Sequence, residues 1–284
     1  MPELPEVEVL VRHLSPLLRN KRVRQVELRR AKVLRPTSVR RFKQVLSGAR
    51  FSGVSRRGKY LVFELQPANG IGPIIMLGHL GMTGRMYLLP AEAPLPKHAA
   101  VVLDLGHAQF VFEDTRYFGR LTLDCSGLAK LGPEPLGLEF TCEAFARALR
   151  RSRQAIKVKL LDQTVVAGLG NIYSSESLFR AGLAPTLPAC RLTAQQIKRL
   201  RRAIRGVLTM AIAGGSTVPL DYDGSAGRDS LFYFGRAREA ADSYSERLRV
   251  YDRAGEPCLR CGTLIRRRVQ AARSTFYCPH CQRQ

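Results

Sequence analysis

The sequence predicts a mixed α+β chain: an N-terminal helix, a β-rich sandwich or barrel-like domain, a helical middle and a small C-terminal hairpin. Three observations carry this. Short β-like runs with turn punctuation fill the chain to about residue 130, helical-period runs follow to about residue 215, and four of the seven cysteines gather between 258 and 281. At 284 residues the chain can hold two domains or one large one, and 45% hydrophobic residues give it ample core.

The first element is "PEVEVLVRHLSPLL", which places Val7, Leu10, Val11, Leu14, Leu17 and Leu18 on one stripe at helical spacing. A proline in the first helical turn lacks only a donor that would be unpaired anyway. The strands are expected in "RVRQVELRR", "RFSGVSRRGKYLVFEL", "GPIIMLGHLG", "AAVVLDLGHAQFVFED" and "GRLTLDC". "LGPEPLGLEFTCEAF" is a Pro/Gly-rich hinge. Beyond it, "FARALRR", "QAIKVKLLDQ", "NIYSSESLFRAGL" and "TAQQIKRLRRAIRGVLTMAIAGG" read as helices, the last capped by Thr193 and stopped by glycines. Residues 219–246 are polar with stray aromatics and read as a long loop. No apolar run approaches the ~20 residues of a membrane helix. The acidic, amphipathic start is wrong for a secretory signal, so an intracellular, soluble protein is expected.

Charge narrows the function. Forty-six Lys and Arg against 23 Asp and Glu give a net +23. Such an excess points to a polyanion, because neutralising phosphates releases their counterions. A membrane-surface role fits less well, since the basic residues recur along the whole chain. Arginine, suited to bidentate phosphate contacts, dominates near the end in "RLRVYDR" and "IRRRVQAARS".

The C-terminal cysteines read C-x2-C-x16-C-x2-C, from Cys258 and Cys261 to Cys278 and Cys281. Paired thiolates at this spacing form two knuckles closing a tetrahedral zinc site. With four sulfurs no position remains for water, so one structural zinc ion is expected. His280, between two ligands, is expected to point away. The segment is too small for a core of its own, and metal binding would supply its folding energy. Its Arg266, Arg267, Arg268 and Arg273 make it a platform of cations facing nucleic acid or protein. Cys125, Cys142 and Cys190 are expected to be small buried hydrophobes, and a disulfide framework is not expected in a chain this large.

The start, "MPELPEVEVL", puts two prolines and three carboxylates in eight residues. Together with the cysteine hairpin it resembles the bacterial formamidopyrimidine-DNA glycosylases of the Fpg/MutM type. The resemblance runs in order through "PELPEVE", "RRGKYLVFEL", "HLGMTG", "DTRYFG", "LGPEPL", "GLGNIYSSESLFRAGL", "GGST", "GEPC" and "STFYCPHCQ", covering nearly the whole chain. It implies an N-terminal β-sandwich catalytic domain at 1–132, a helix–two-turns–helix DNA-binding domain with a lesion-capping loop at 133–246, and a zinc finger at 247–284.

The resemblance also implies chemistry. Once Met1 is removed, the Pro2 amine would attack C1′ of a damaged nucleotide and expel the base. A secondary amine can form the resulting cationic Schiff base, and an α-amino group with a pKa near ~8 keeps a neutral fraction at pH 7. Glu3 would protonate the sugar ring oxygen and shuttle protons, whereas Glu6 and Glu8 suit a helix N-terminus electrostatically. Lys59 would contact phosphate beside the lesion and assist strand elimination, and Arg273 would grip phosphate in the second elimination. Met82, Arg116 and Phe118 would fill the gap left by the extruded base. His79, His98, Arg151, Lys157 and Asn171 would contact phosphates, Asn171 at a glycine-rich turn opening a helix.

Two departures stand out. The family's "DPRRFG" is "DTRYFG" here, so Thr115 and Tyr117 differ and a cation is lost. A segment of some fifteen residues, 228–242, interrupts the region that folds over the damaged base. The expected function is a monomeric bifunctional glycosylase and lyase for oxidised purines in double-stranded DNA, cytoplasmic and associated with the nucleoid. An endonuclease VIII-like enzyme for oxidised pyrimidines, which usually shows glycine where Leu4 stands, is one alternative. A non-catalytic damaged-DNA-binding protein is another, but it would not need Pro2, Glu3 and Lys59.

Overall fold

The computed structural model describes residues 2–70, 72–215 and 248–283, so the 228–242 insertion lies outside the described residues. The described chain divides into two compact units. One comprises Pro2 and Glu6–Ala129, the other Glu3–Pro5, Lys130–Gly215 and 248–283.

The first unit is built on helix α1 (Leu4–Leu18) and two antiparallel four-stranded sheets. The α1 stripe is sound: Val7, Leu10, Val11, Leu14 and Leu18 are buried, with Leu17 packed against the same core. One sheet holds β1 (Gln25–Leu28), β6 (Ala99–Asp104), β7 (Ala108–Asp114) and β5 (Gly84–Pro90), in that spatial order. The other holds β2 (Arg50–Arg57), β3 (Tyr60–Gln66), β4 (Ile74–His79) and β8 (Arg120–Thr122). Alternate residues of both sheets share one core, including Met86, Val101, Phe110 and Phe112 from the first and Phe51, Leu61, Phe63 and Met76 from the second. Phe63 meets Phe51 and Phe110 edge-on, at centroid distances of 6.1 and 5.5 Å. The strands therefore form a sandwich.

Two elements go beyond the sequence reading. Helix α2 (Val39–Leu46) shows only Phe42 and Leu46 to the core, too few for a periodic signal, and starts at Ser38, whose Oγ accepts from the Arg41 N–H at 3.3 Å. Strand β5 is bracketed by Gly84 and Pro90, which disguise its alternation of buried Met86 and Leu88 with more exposed neighbours.

The second unit holds α3 (Cys142–Leu149), α4 (Ile156–Lys159), α5 (Asn171–Ala181), α6 (Ala194–Gly215) and the hairpin β9 (Arg266–Gln270) and β10 (Arg273–Tyr277). Helix α6 opens with a capping box: Thr193 Oγ1 accepts from the Gln196 N–H at 3.2 Å, and Gln196 Oε1 from the Thr193 N–H at 2.8 Å. It buries Ile197, Leu200, Ile204, Leu208 and Ile212. Helix α5 is buried on every side from Ile172 to Phe179 and ends at Gly182, whose φ of 64° closes a Schellman-type cap.

The helix expected in "QAIKVKLLDQ" stops after four residues. Asp162 Oδ1 accepts from both the N–H (2.9 Å) and the hydroxyl (2.7 Å) of Thr164, turning the chain out of the helix. Of the three scattered cysteines none is fully buried: Cys190 is exposed, and Cys125 and Cys142 are half-buried. Cys190 lies in the short turn at Ala189–Arg191 that leads to α6, whose core contacts come from Ala189 and Leu192. No helix among the described residues is long and apolar enough to cross a membrane.

Candidate functional site

In the second unit the site is organised around the N-terminus of α5. The four N–H groups at a helix start have no partners within the helix, and the helix dipole makes that end positive. Here the partner is Glu3. Its carboxylate accepts from the N–H groups of Gly170 (2.7 Å), Ile172 (2.8 Å) and Tyr173 (3.3 Å), and the side chain is 2% exposed. Three backbone donors in a dry setting stabilise an ionised carboxylate. Glycines make the seat possible. A Cβ on Gly170 would collide with the Glu3 carboxyl group, and one on Gly168, at φ +87°, would come within 2.6 Å of Leu4 Cδ1. The Leu4 N–H also donates to the Gly168 carbonyl at 3.0 Å. Gln163 braces this loop from inside, donating to Leu161 O (3.0 Å) and Leu169 O (2.8 Å) and accepting from the Gly168 N–H (2.9 Å).

Lys157, 1% exposed on α4, donates from Nζ to Asn171 Oδ1 at 2.6 Å. Burial lowers its pKa to about 8; the charge of Glu3 opposes the shift and that of Arg273 adds to it. Asn171 in turn donates to the Ser274 carbonyl at 2.8 Å, which joins α4, α5 and β10 into one polar chain ending beside Arg273. Arg273 itself is exposed. It follows a two-residue turn, Ala271–Ala272, in which both alanines are left-handed, at φ 47° and 58°. The segment at 249–251, whose Tyr251 packs on Phe276 of the hairpin at 5.1 Å between ring centroids, is held by a second buried glutamate that the sequence reading missed. Glu176 accepts from the N–H groups of Arg249, Val250 and Tyr251, each at 2.9 Å, while burial pushes its pKa up. In "SSESLF" nothing marks that glutamate as buried. Arg151 stands exposed just past α3.

The four cysteines converge. Their sulfurs all lie within 4.8 Å of one another, with Cys261 at 3.5 Å from Cys278 and 3.4 Å from Cys281, and Cys258 at 4.0 Å from Cys281. A tetrahedral zinc with Zn–S near ~2.3 Å needs S–S separations of about 3.8 Å, which this cluster meets. Backbone N–H groups approach two of the sulfurs, Arg260 to Cys258 at 3.5 Å and Cys281 to Cys278 at 3.4 Å, as expected of knuckles that stabilise thiolate. His280 is exposed and outside the cluster. The donor set is that of one structural zinc ion.

In the first unit Pro2 is buried at the head of the chain. Lys59, 8% exposed, occupies the two-residue β2–β3 turn after Gly58, whose φ of 58° suits the type II′ connection. That hairpin is tied to α1 by Glu8, which accepts from Arg56 Nε at 2.9 Å and from Arg12 Nε at 2.8 Å. Glu8 thus does more than complement a helix end. His79, paired with Tyr60 across β3 and β4, is held neutral: burial, then the charges of Lys59 and Arg120, lower its pKa to about 4. Its Nδ1 accepts from the Gly81 N–H at 3.1 Å, so Nε2 carries the proton and remains a donor.

Asp114, fully buried and also missed, assembles the loops carrying the three void-filling candidates. It accepts from Thr83 Oγ1 (2.6 Å), the Arg116 N–H (3.1 Å) and the Gly119 N–H (2.7 Å). Gly81 lies so close that a Cβ would come within 2.6 Å of the Gly119 nitrogen. Met82 and Phe118 are consequently 43% and 49% exposed on adjoining loops, unusual for large apolar side chains, and the Arg116 guanidinium lies 4.8 Å over the Phe118 ring. The only sequence signal for Asp114 is an acidic residue two before a turn, an Asx-type pattern. His98 is half-buried, with its ring 6.5 Å from that of Tyr117.

Comparison with known proteins places this geometry in a family. The family model described as "Formamidopyrimidine-DNA glycosylase N-terminal domain" matches residues 1–121, "Formamidopyrimidine-DNA glycosylase H2TH domain" matches 131–221, and "Zinc finger found in FPG and IleRS" matches 255–284. A formamidopyrimidine-DNA glycosylase of Rhizorhabdus wittichii is 42% identical over 290 residues, and one of Carboxydothermus hydrogenoformans 38% over 283, each alignment covering 100% of both chains. Among solved structures, a Lactococcus lactis FPG mutant in complex with Fapy-dG containing DNA superposes with a TM-score of 0.84 at 33% identity, covering 100% of both chains. The wild-type Lactococcus lactis protein with an oxidised pyrimidine containing DNA gives the same TM-score and identity over the same coverage. From end to end, therefore, the chain belongs to the formamidopyrimidine-DNA glycosylase family of DNA-repair glycosylases.

Proposed function

We propose that the protein is a bifunctional glycosylase and lyase that removes oxidised purines, formamidopyrimidines and 8-oxoguanine, from double-stranded DNA. The observation that carries this reading is the seat of Glu3. A buried carboxylate, fixed by three backbone N–H groups, sits one peptide bond from Pro2. With Met1 removed, the Pro2 nitrogen loses a proton to that carboxylate and attacks C1′. The N–C1′ bond forms as the bond to the base breaks. Glu3 then returns its proton to the ring oxygen as the C1′–O bond opens, leaving an iminium. Solvent takes the C2′ proton as the 3′ phosphate leaves, a further elimination expels the 5′ phosphate, and water hydrolyses the imine to free Pro2. Glu3 is thus the base in one half of the exchange and the acid in the other.

The other residues take supporting roles. Lys59 and Arg273 meet the phosphates that leave. His79 donates from Nε2 as a neutral imidazole, while His98, Arg151 and the Lys157–Asn171 pair contact the backbone. Arg116, Phe118 and Met82 occupy the gap in the stack, offsetting part of the few kcal/mol that extrusion costs. The net charge of +23 supplies the general attraction to DNA. Zinc, bound by Cys258, Cys261, Cys278 and Cys281, holds the hairpin that presents Arg273. The enzyme's place is then the cytoplasm, on the nucleoid. Because a Lactococcus lactis relative is seen with oxidised pyrimidine DNA, oxidised pyrimidines are the second substrate class to test.

Borohydride reduction on an 8-oxoguanine duplex is the experiment. Wild type should give a covalent protein–DNA adduct, Pro2→Gly none, Glu3→Gln a trace, and Lys59→Ala a trapped adduct with slowed strand cleavage. Absence of a wild-type adduct, or a full one with Pro2→Gly, would overturn the mechanism. Intact mass establishes whether Met1 has left.

A further inference from the structure

Tyr117 stands between Arg116 and Phe118 and carries a cation, Arg30, against its ring. We propose that Arg30, mounted on Tyr117, grips a DNA phosphate beside the gap-filling loop. This rests on the DNA-glycosylase reading above. Arg30 follows β1, and its N–H donates to the Ala100 carbonyl at 3.1 Å, so its backbone is fixed to the sheet. Its side chain reaches back to Tyr117: Nε donates to the phenol oxygen at 3.2 Å, and the guanidinium lies 5.5 Å from the ring centroid. Tyr117 holds a left-handed backbone, φ 53°, which a tyrosine adopts only when its surroundings fix it.

The arrangement leaves a usable charge. Arg30 is exposed and has no carboxylate partner among the described residues; Nη1 makes only a long 3.4 Å bond to the Arg29 carbonyl, and Nη2 makes none. Two outward donors on a stiffened guanidinium are what bidentate phosphate binding requires. The same ring faces His98 at 6.5 Å, a residue already assigned to phosphate, and its neighbours in sequence are Arg116 and Phe118. Tyr117 thus joins Arg30 and His98 along one track. Had Arg30 only braced the loop, a neutral residue on Tyr117 would serve as well, and that difference can be measured.

The test is the salt dependence of binding to a duplex carrying a tetrahydrofuran abasic analogue, followed by fluorescence anisotropy. One phosphate contact contributes about 0.9 to the slope of log K against log salt, so between 50 and 200 mM wild-type affinity should fall about 3.5-fold more than that of Arg30→Gln. Tyr117→Phe should give an intermediate slope, since the ring stays while the phenol anchor is lost. Arg30→Gln with Tyr117→Arg should restore the wild-type slope. An unchanged slope in Arg30→Gln, with wild type binding normally, would overturn this proposal alone. A wild type without salt-dependent affinity for the duplex would overturn the glycosylase reading with it.

Discussion

Gly170→Ala should disable the protein through one atom. The new Cβ would fall on the Glu3 carboxyl group and lie 2.7 Å from its Cγ, too close for either to stay. The backbone itself does not object, because φ −130° and ψ −154° are extended values open to alanine. Everything the substitution costs must therefore come from evicting Glu3. Three hydrogen bonds to a carboxylate, at ~1.5–3 kcal/mol each and not fully additive, suggest a loss of about 3 kcal/mol or more. Urea unfolding should show that loss, and single-turnover borohydride trapping should slow by about 10²–10⁴, the range for a displaced proton-transfer group. The double-mutant cycle is the sharper measurement. With Glu3→Ala already in place the three atoms nearest the Cβ are gone, and Gly170→Ala should then be neutral or stabilising by ~0.4–1 kcal/mol. Additive losses in the cycle would refute the seat as the source of the effect, and wild-type trapping by Gly170→Ala would refute its role in the reaction.

Three further outcomes follow from the geometry. Lys157, its pKa lowered to about 8 by burial, holds its proton about 3 kcal/mol less tightly in the folded protein than in the unfolded chain. A lowered lysine pKa is a cost present in full below pH 8 that fades as pH rises toward 10.5. Wild-type stability should therefore gain on Lys157→Met across that window, and a constant gap in urea titrations from pH 7 to 10 would contradict the assignment. Removing zinc with a chelator should withdraw ~10 kcal/mol from the hairpin, exposing 248–283 to limited proteolysis, with protection restored by zinc and not by magnesium. Ala272→Gly should relieve ~1–2 kcal/mol of left-handed strain in the β9–β10 turn, read as slower hydrogen exchange in the hairpin; unchanged or faster exchange would mean the turn is not strained.

The fold was legible where one physical signal dominated. The α1 stripe, the β-rich run around Gly58 and the threonine cap of α6 each rest on local periodicity or capping. Local rules fail where a few contacts decide. Helix α2 has two core residues, β5 is masked by its terminal glycine and proline, and α4 is cut short by the Asp162 turn. Cys190 went the other way: a cysteine was expected inside, yet it sits in a solvent-facing turn whose neighbours Ala189 and Leu192 do the packing.

The candidate site divides along the same line. The cysteines were readable from spacing alone, because a metal imposes its geometry on the sequence. Pro2, Glu3 and Lys59 became visible only through resemblance, since a lone proline, glutamate or lysine has no pattern of its own. The residues missed altogether, Asp114 and Glu176, share a property with Glu3. Each is a buried carboxylate that accepts from two or three backbone N–H groups: Glu3 on the start of α5, Glu176 on residues 249–251, and Asp114 on the loop at 116–119, with Thr83 as its one side-chain donor. Backbone donors have no residue identity, so such a partnership leaves no second letter to find. Here the same device positions the proposed proton carrier, the segment that leads into the hairpin bearing Arg273, and the loop bearing Phe118. In a chain with twice as many cations as acids, these few carboxylates are shielded from the basic surface by burial, and each fixes a segment assigned to the bound strand. Their neutralisation would loosen each segment separately: Asp114→Asn should weaken duplex binding while leaving the zinc hairpin protease-resistant, whereas Glu176→Gln should weaken binding and open residues 248–283 to protease.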